Sequence, residues 1–321
     1  MIVRESFAAY QARRGVNWST LREMRESALH YKYRADNPKK TTPVMEFGSA
    51  AHCAVLEPDN FPRRYVLWDG GRRYGKAWDE FVAVNAPRTP LPAADYERCL
   101  ALRDAVRSHP AARKLLAETE TELTVTWIDE ATRIRCKARI DAVCLASGVL
   151  IDFKTTRSTE PRLFGQHAVR LGYLHQLAFY RAGLLANGVP DGEAYLLAAE
   201  ADGPHDVLVA GVDDDAMYAA GCDVELLLAE VKLHRKRRRW PGRSEHIEAL
   251  QVPAWFYSSD DADYADELII SGIAADKQCD EYDVDEGRCH HAEGDRLCPR
   301  EPRCHDEVSP SRWTPTTGAP E

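Results

Sequence analysis

The sequence has no apolar run near the roughly 20 residues that span a bilayer, so a helical membrane segment is not expected. The opening stretch, MIVRESFAAYQARRG, lacks the continuous apolar core of a secretion signal, and a cytoplasmic location is expected. Cys-x-x-Cys pairs are also missing. Nine cysteines in a cytoplasmic chain are not expected to form a disulfide framework. Nor is there an excess of positive charge: 42 Lys and Arg stand against 51 Asp and Glu, a net charge of −9. Evenly spread, that charge would argue against a polyanionic partner.

The acid is not evenly spread. From Ser258 onward 17 acidic residues accompany 6 basic ones, which leaves 36 basic and 34 acidic residues before it. The first 40 residues carry 9 basic and 4 acidic groups, and Lys232–Arg239 reads KLHRKRRR. A locally positive surface is enough to hold phosphates whatever the global sum. With 44% hydrophobic and 29% charged residues, the composition is that of an ordinary globular protein with ample core. No internal repeat is found.

The stretch Gly148–Lys154, GVLIDFK, follows a turn at Ala146–Gly148 and predicts a short strand. Alternation places Val149, Ile151 and Phe153 on one face and Leu150, Asp152 and Lys154 on the other. The segment Ile134–Asp141 predicts a second strand ending in an acid. A hairpin-like connection over Cys144–Gly148 would set Asp141 beside Asp152. Two acids and a lysine at adjacent strand ends meet the needs of a Mg²⁺-dependent phosphodiesterase. An Asp-x-Lys alone is weak evidence, and Glu230-Val-Lys232 is a near-match. That copy lies in a predicted helix, where positions i and i+2 point apart.

Elsewhere, helices are predicted over Thr20–Tyr33 with Ser19 as cap, Val44–Leu56, Lys76–Val84, Ala94–Ser108, Pro161–Val169, Tyr173–Ala186 and Asp213–Arg237. Small residues at Gly48–Ala51 would permit close packing and aim His52 inward. Further strands are expected at Tyr65–Trp68, Glu122–Ile128, Glu193–Ala199 and Asp206–Val212. Gln176 and Tyr180, four apart, share a helix face.

Together these segments resemble the PD-(D/E)XK nuclease superfamily, and within it the RecB-like and RecE-like exonucleases of phages and prophages. Trp18–Tyr31 resembles the family's opening helix. Phe47-Gly-Ser-Ala-Ala-His52 with Leu56-Glu57-Pro58 resembles its G-x-x-x-H block. Cys136–Asp141 resembles the first acidic motif, Ile151–Thr156 the second, and Gln176–Tyr180 the Q-x-x-x-Y motif. Ile140 departs from the proline in the superfamily's name. The similarity covers most of residues 15–257.

The resemblance implies an α/β fold with a central mixed β-sheet flanked by helices, a restriction-endonuclease-like core at 118–257, and an N-terminal helical region at 1–117. It implies that Asp141, Asp152 and the backbone carbonyl of Phe153 ligate Mg²⁺ or Mn²⁺, two ions in all, with His52 as a further ligand. Lys154 would position and help deprotonate the attacking water and offset phosphate charge. Glu122 is an additional acid near the cluster, and Gln176 and Tyr180 would contact DNA or brace the site. The implied activity is exonucleolytic digestion of linear double-stranded DNA from its ends, 5′→3′. A homo-oligomeric ring, a single-strand-annealing recombinase as partner and a role in recombination are implied with it. An endonuclease or a CRISPR-type iron–sulfur exonuclease on the same scaffold, and a non-catalytic DNA-end-binding module, are the alternatives.

Residues 258–321 form an acidic tail outside the resemblance. Cys279, Cys289, Cys298 and Cys304, with His290, His291 and His305, could take zinc or join an iron–sulfur cluster, although the spacing fits no standard finger. A cluster of the related kind would need one upstream thiol, such as Cys53. A flexible acidic tail is the simpler account.

Overall fold

The chain begins with two elements too short for periodicity to announce, strand β1 (Ile2–Arg4) and helix α1 (Phe7–Ala12). The computed structural model describes residues 1–38 and 42–253, and the backbone alone of 282–283 and 288–289. The single helix expected over Thr20–Tyr33 is instead α2 (Trp18–Leu21), a 3-10 turn (Arg22–Arg25) and α3 (Ala28–Asp36). Ser27 breaks it: its backbone is extended, and its hydroxyl accepts from His30 N to start α3. Asn17 caps α2, so Ser19 is not the cap.

A helical portion follows: α4 (Pro43–Leu56), α5 (Phe61–Arg64), β2 (Tyr65–Trp68), α6 (Lys76–Asn85), β3 (Thr89–Pro92), α7 (Ala93–Ser108) and α8 (Pro110–Ala117). Thr42 caps α4 and Pro43 occupies its first turn, where the missing N–H costs nothing. Ala50, Ala51 and Ala54 are fully buried in a cluster shared with Cys99, Leu102 and Val106 of α7. Gly48 is not part of the close approach, since a Cβ there would meet nothing within 4 Å.

The main sheet comprises β1, β4 (Glu120–Ile128), β5 (Arg135–Val143), β6 (Leu150–Thr156), β7 (Ala194–Glu200) and β8 (Val207–Val212) in that spatial order. All neighbours are antiparallel except β6 and β7. A parallel pair needs a crossover, supplied by α9 (Pro161–Leu171) and α10 (Tyr173–Leu185). The long α11 (Asp214–Arg237) packs beside α10. This is the expected α/β architecture: a mixed sheet between helical layers. One core cluster joins Leu123, Val125, Ile140 and Leu150 to α10 and α11, and the other joins Ile151, Phe153 and Leu197 to α4 and α7. The central strand β6 is therefore covered on both faces. Its entry turn is tight: Gly148 has φ 77, and a Cβ there would lie 1.9 Å from the Pro190 carbonyl oxygen.

The chain divides into two compact units, Met1–His246 and Ile247–Glu321. In the second, β9 (Tyr282–Asp283) and β10 (Arg288–Cys289) pair antiparallel. Cys279, Cys298, Cys304, His290, His291 and His305 lie outside the described residues, as does the side chain of Cys289.

What holds α1 in place is Lys137, buried on β5. Its ammonium donates to the carbonyls of Tyr10, Gln11 and Arg13 at 3.1, 3.1 and 2.7 Å, closing the C-terminal end of the helix. The Tyr10 ring covers the same ammonium, 4.8 Å from its centroid. Replacing Lys137 with Met should destabilise the protein by about 2–4 kcal/mol, read by urea unfolding. Limited proteolysis should then cut within residues 1–16 first.

Candidate active site

The antiparallel ladder between β5 and β6 consists of Ala142 with Ile151 and Val143 with Leu150. Beyond those pairs the strands part, and the next two residues inward are Asp141 and Asp152. The backbone N–H of Phe153 donates to the Asp141 carboxylate at 2.8 Å. Side-chain facing changes here as well. Ile140 packs in the α10 cluster but Ala142, two residues on, packs in the α4 cluster. Opposite Asp141 in the β4 register, Glu122 has φ 58, a left-handed conformation that costs a non-glycine residue about 1 kcal/mol or more. The irregularity lets acids on two strands share one end of the sheet.

On the α10 side, Lys154 lies 2.6 Å from Asp152 Oδ2. The ammonium thus pairs directly with the buried Asp152 carboxylate. Gln176 ties both groups together. Its amide donates to Asp152 Oδ1 and to the Tyr180 hydroxyl, each at 2.8 Å, while its oxygen accepts from Lys154 at 3.1 Å. Tyr173 completes the cage, with the Lys154 ammonium 4.6 Å from its ring centroid. On the α4 side, His52 Nδ1 lies 3.4 Å from Asp141 Oδ2, and its ring meets Phe153 edge-on at 5.0 Å. His52, Glu122 and Asp141 offer ligand atoms all within 4.8 Å of one another. Glu122 is also paired with Arg139, which donates to the Glu5 carbonyl at 3.1 Å.

Asp152 is fully buried, and burial, aided by Asp141, pushes its pKa up to about 6 against the pull of Lys154. Burial works the same way on Asp141, but His52, Lys154 and the Phe153 N–H outweigh it and hold its pKa below the usual range. Glu122 is raised by burial and by Asp141. Burial disfavours the Lys154 ammonium, yet Asp152 and Asp141 more than compensate, and its pKa stands above normal. His52 behaves alike: burial lowers its pKa and Asp141 raises it further, for a net rise. Two half-compensated carboxylates beside an imidazole form a donor set that suits a hard divalent cation.

The site residues the sequence named outside the tail come to this one place: His52, Glu122, Asp141, Asp152, Phe153, Lys154, Gln176 and Tyr180. Sequence reasoning missed two of its members, Tyr173 and Arg139. Tyr173 stands three residues before Gln176 and so shares its helix face, which was the available signal. The alternation of Arg139 with Asp141 likewise marks it as a neighbour. Cys53 lies on the buried face of α4, and burial pushes its thiol up to about 11.

Residues 17–253 match the family described as a PDDEXK-like domain of unknown function, and the chain belongs to that family. Among solved structures, a protein from Eubacterium rectale named as a candidate exonuclease superposes with a TM-score of 0.53. The match covers 80% of this chain and 99% of that one at 11% identity, a likeness of fold. No curated protein matches. Fold and family together define a nuclease-type protein of the PD-(D/E)XK superfamily.

A cation that took Asp152 as a ligand would have to displace its proton, so binding at this place should strengthen as pH rises through about 6. Mn²⁺ should raise the melting temperature markedly at pH 7.5 and little at pH 5. Calorimetry at pH 6 in buffers of differing ionisation enthalpy should show net proton release.

Proposed function

We propose that this protein is a metal-dependent deoxyribonuclease that digests linear double-stranded DNA from its ends. The observation that carries the reading is the single hydrogen-bonded unit of Asp152, Lys154 and Gln176 beside Asp141. In this reading Mg²⁺ or Mn²⁺, as two ions, is held by Asp141, Asp152, His52 and the Phe153 carbonyl, with Glu122 as an additional acid. A cation bound there would offset charge on the phosphate and acidify a coordinated water.

The chain's own groups then have separate tasks. Asp152 and Gln176 keep Lys154 in one position. As an ammonium beside Asp152, Lys154 can donate to a phosphoryl oxygen and position the attacking water. Hydrolysis forms a bond between the water oxygen and phosphorus and breaks the bond to the sugar oxygen. Of the water's two protons one ends on the departing sugar oxygen as a hydroxyl, and the other is released to solvent as the new phosphate monoester takes its second negative charge. Tyr180, whose hydroxyl is held by Gln176 and whose pKa burial pushes well up, stays neutral and braces the amide.

The resemblance alone supports 5′→3′ polarity, a ring-shaped oligomer and a single-strand-annealing recombinase as partner in recombination, while a cytoplasmic setting rests on the sequence reading. Zinc or an iron–sulfur cluster on the tail thiols rests on the sequence reading alone. Duplexes labelled at the 5′ or 3′ end, digested with and without Mg²⁺, test activity, metal need and polarity together. Asp152→Ala and Lys154→Ala should each lower the rate at least ~10²-fold. Equal degradation by wild type and Asp152→Ala would remove the enzyme reading in favour of a DNA-end-binding module.

A further inference from the structure

The N-terminal helix brings an aromatic ring to the edge of this site. Phe7 opens α1, is 49% exposed, and lies against the Arg139 guanidinium, 5.7 Å from ring centroid to Cζ. Arg139 is in turn paired with Glu122, whose carboxylate stands within 4.8 Å of the ligand atoms of His52 and Asp141. One ring therefore sits two contacts from the acids that face the scissile phosphate in the nuclease reading. Its position is enforced. Lys137 closes the far end of α1, Arg139 donates to the carbonyl of Glu5 just before the helix, and Tyr10 packs 6.0 Å from Phe7.

What sets Phe7 apart from the other exposed apolar side chains is its seat on the guanidinium paired with Glu122. A ring with one side seated on a cation and the other open to solvent is a platform for a π-face. Every nucleobase offers one, whatever the sequence.

We propose that Phe7 is a substrate-positioning residue that stacks on a nucleobase at the DNA end, within two nucleotides of the phosphate being cut. The inference rests on the nuclease reading above. Stacking on Phe7 holds an unpaired or frayed base beside the site, and Arg139 beneath the ring keeps it flat against that base. The recognised class is the nucleobase itself, without preference for identity, because stacking reads the face and not the hydrogen-bonding edge.

The test crosses two changes. Full-length wild type, Phe7→Leu and Phe7→Trp are assayed on linear duplexes with intact ends and with an abasic site at the first or second nucleotide. Leucine keeps an apolar cover over Arg139 but cannot stack. It should raise KM about tenfold on intact ends, with kcat little changed, and cost nothing further at the abasic position that the ring serves. Phe7→Trp should restore the wild-type KM. If Phe7→Leu has the wild-type KM, or loses equally on intact and both abasic ends, the ring is structural cover and the inference is overturned. That outcome leaves the nuclease reading standing, whereas the absence of cleavage by wild type would remove both.

Discussion

A carboxylate with no exposure to water, Asp152, is the constraint from which the rest of the site follows. Removing such a charge from water costs several kcal/mol unless other groups compensate. Here compensation comes from Lys154 on the same strand face and from the Gln176 amide one layer away. It is incomplete, since the pKa stays near 6. The same partners fix Lys154, which also rests on the Tyr173 ring.

The sheet is bent to make room for that arrangement. Regular pairing between β5 and β6 would have filled the space between Asp141 and Asp152 with ladder hydrogen bonds. Instead the ladder stops after two pairs, and the Asp141 side chain accepts a backbone N–H that regular pairing would otherwise occupy. The left-handed conformation of Glu122 lies directly across β5, and its cost is sustained by packing on both faces of the sheet. Strain, broken pairing and shifted pKa values coincide at one end of three strands, as expected where structure serves chemistry.

Much of this could be read from the chain because the motifs sit on elements with strong periodicity. Leu123, Val125 and Trp127 alternate with polar residues, and Leu150, Asp152 and Lys154 alternate with Ile151 and Phe153, so strand and face followed directly. Gln176 and Tyr180 needed only the helical repeat. The rest was hidden for identifiable reasons. A three-residue strand and a six-residue helix at the N-terminus carry no periodic signal, and they are held by Lys137 and Arg139, residues that read locally as ordinary charges on a strand. The break at Ser27 came from a cap inside an otherwise helical pattern. The Glu122 distortion is set by tertiary packing and has no local mark.

The central claim is that the acids of β5 and β6 grip divalent cations at one place. Anomalous X-ray scattering from crystals grown with Mn²⁺ tests it most directly. The account predicts manganese peaks within coordination distance, about 2–2.6 Å, of Asp141 and Asp152 carboxylate oxygens. Full Mn²⁺ occupancy elsewhere on the protein with none between those two strands would contradict it.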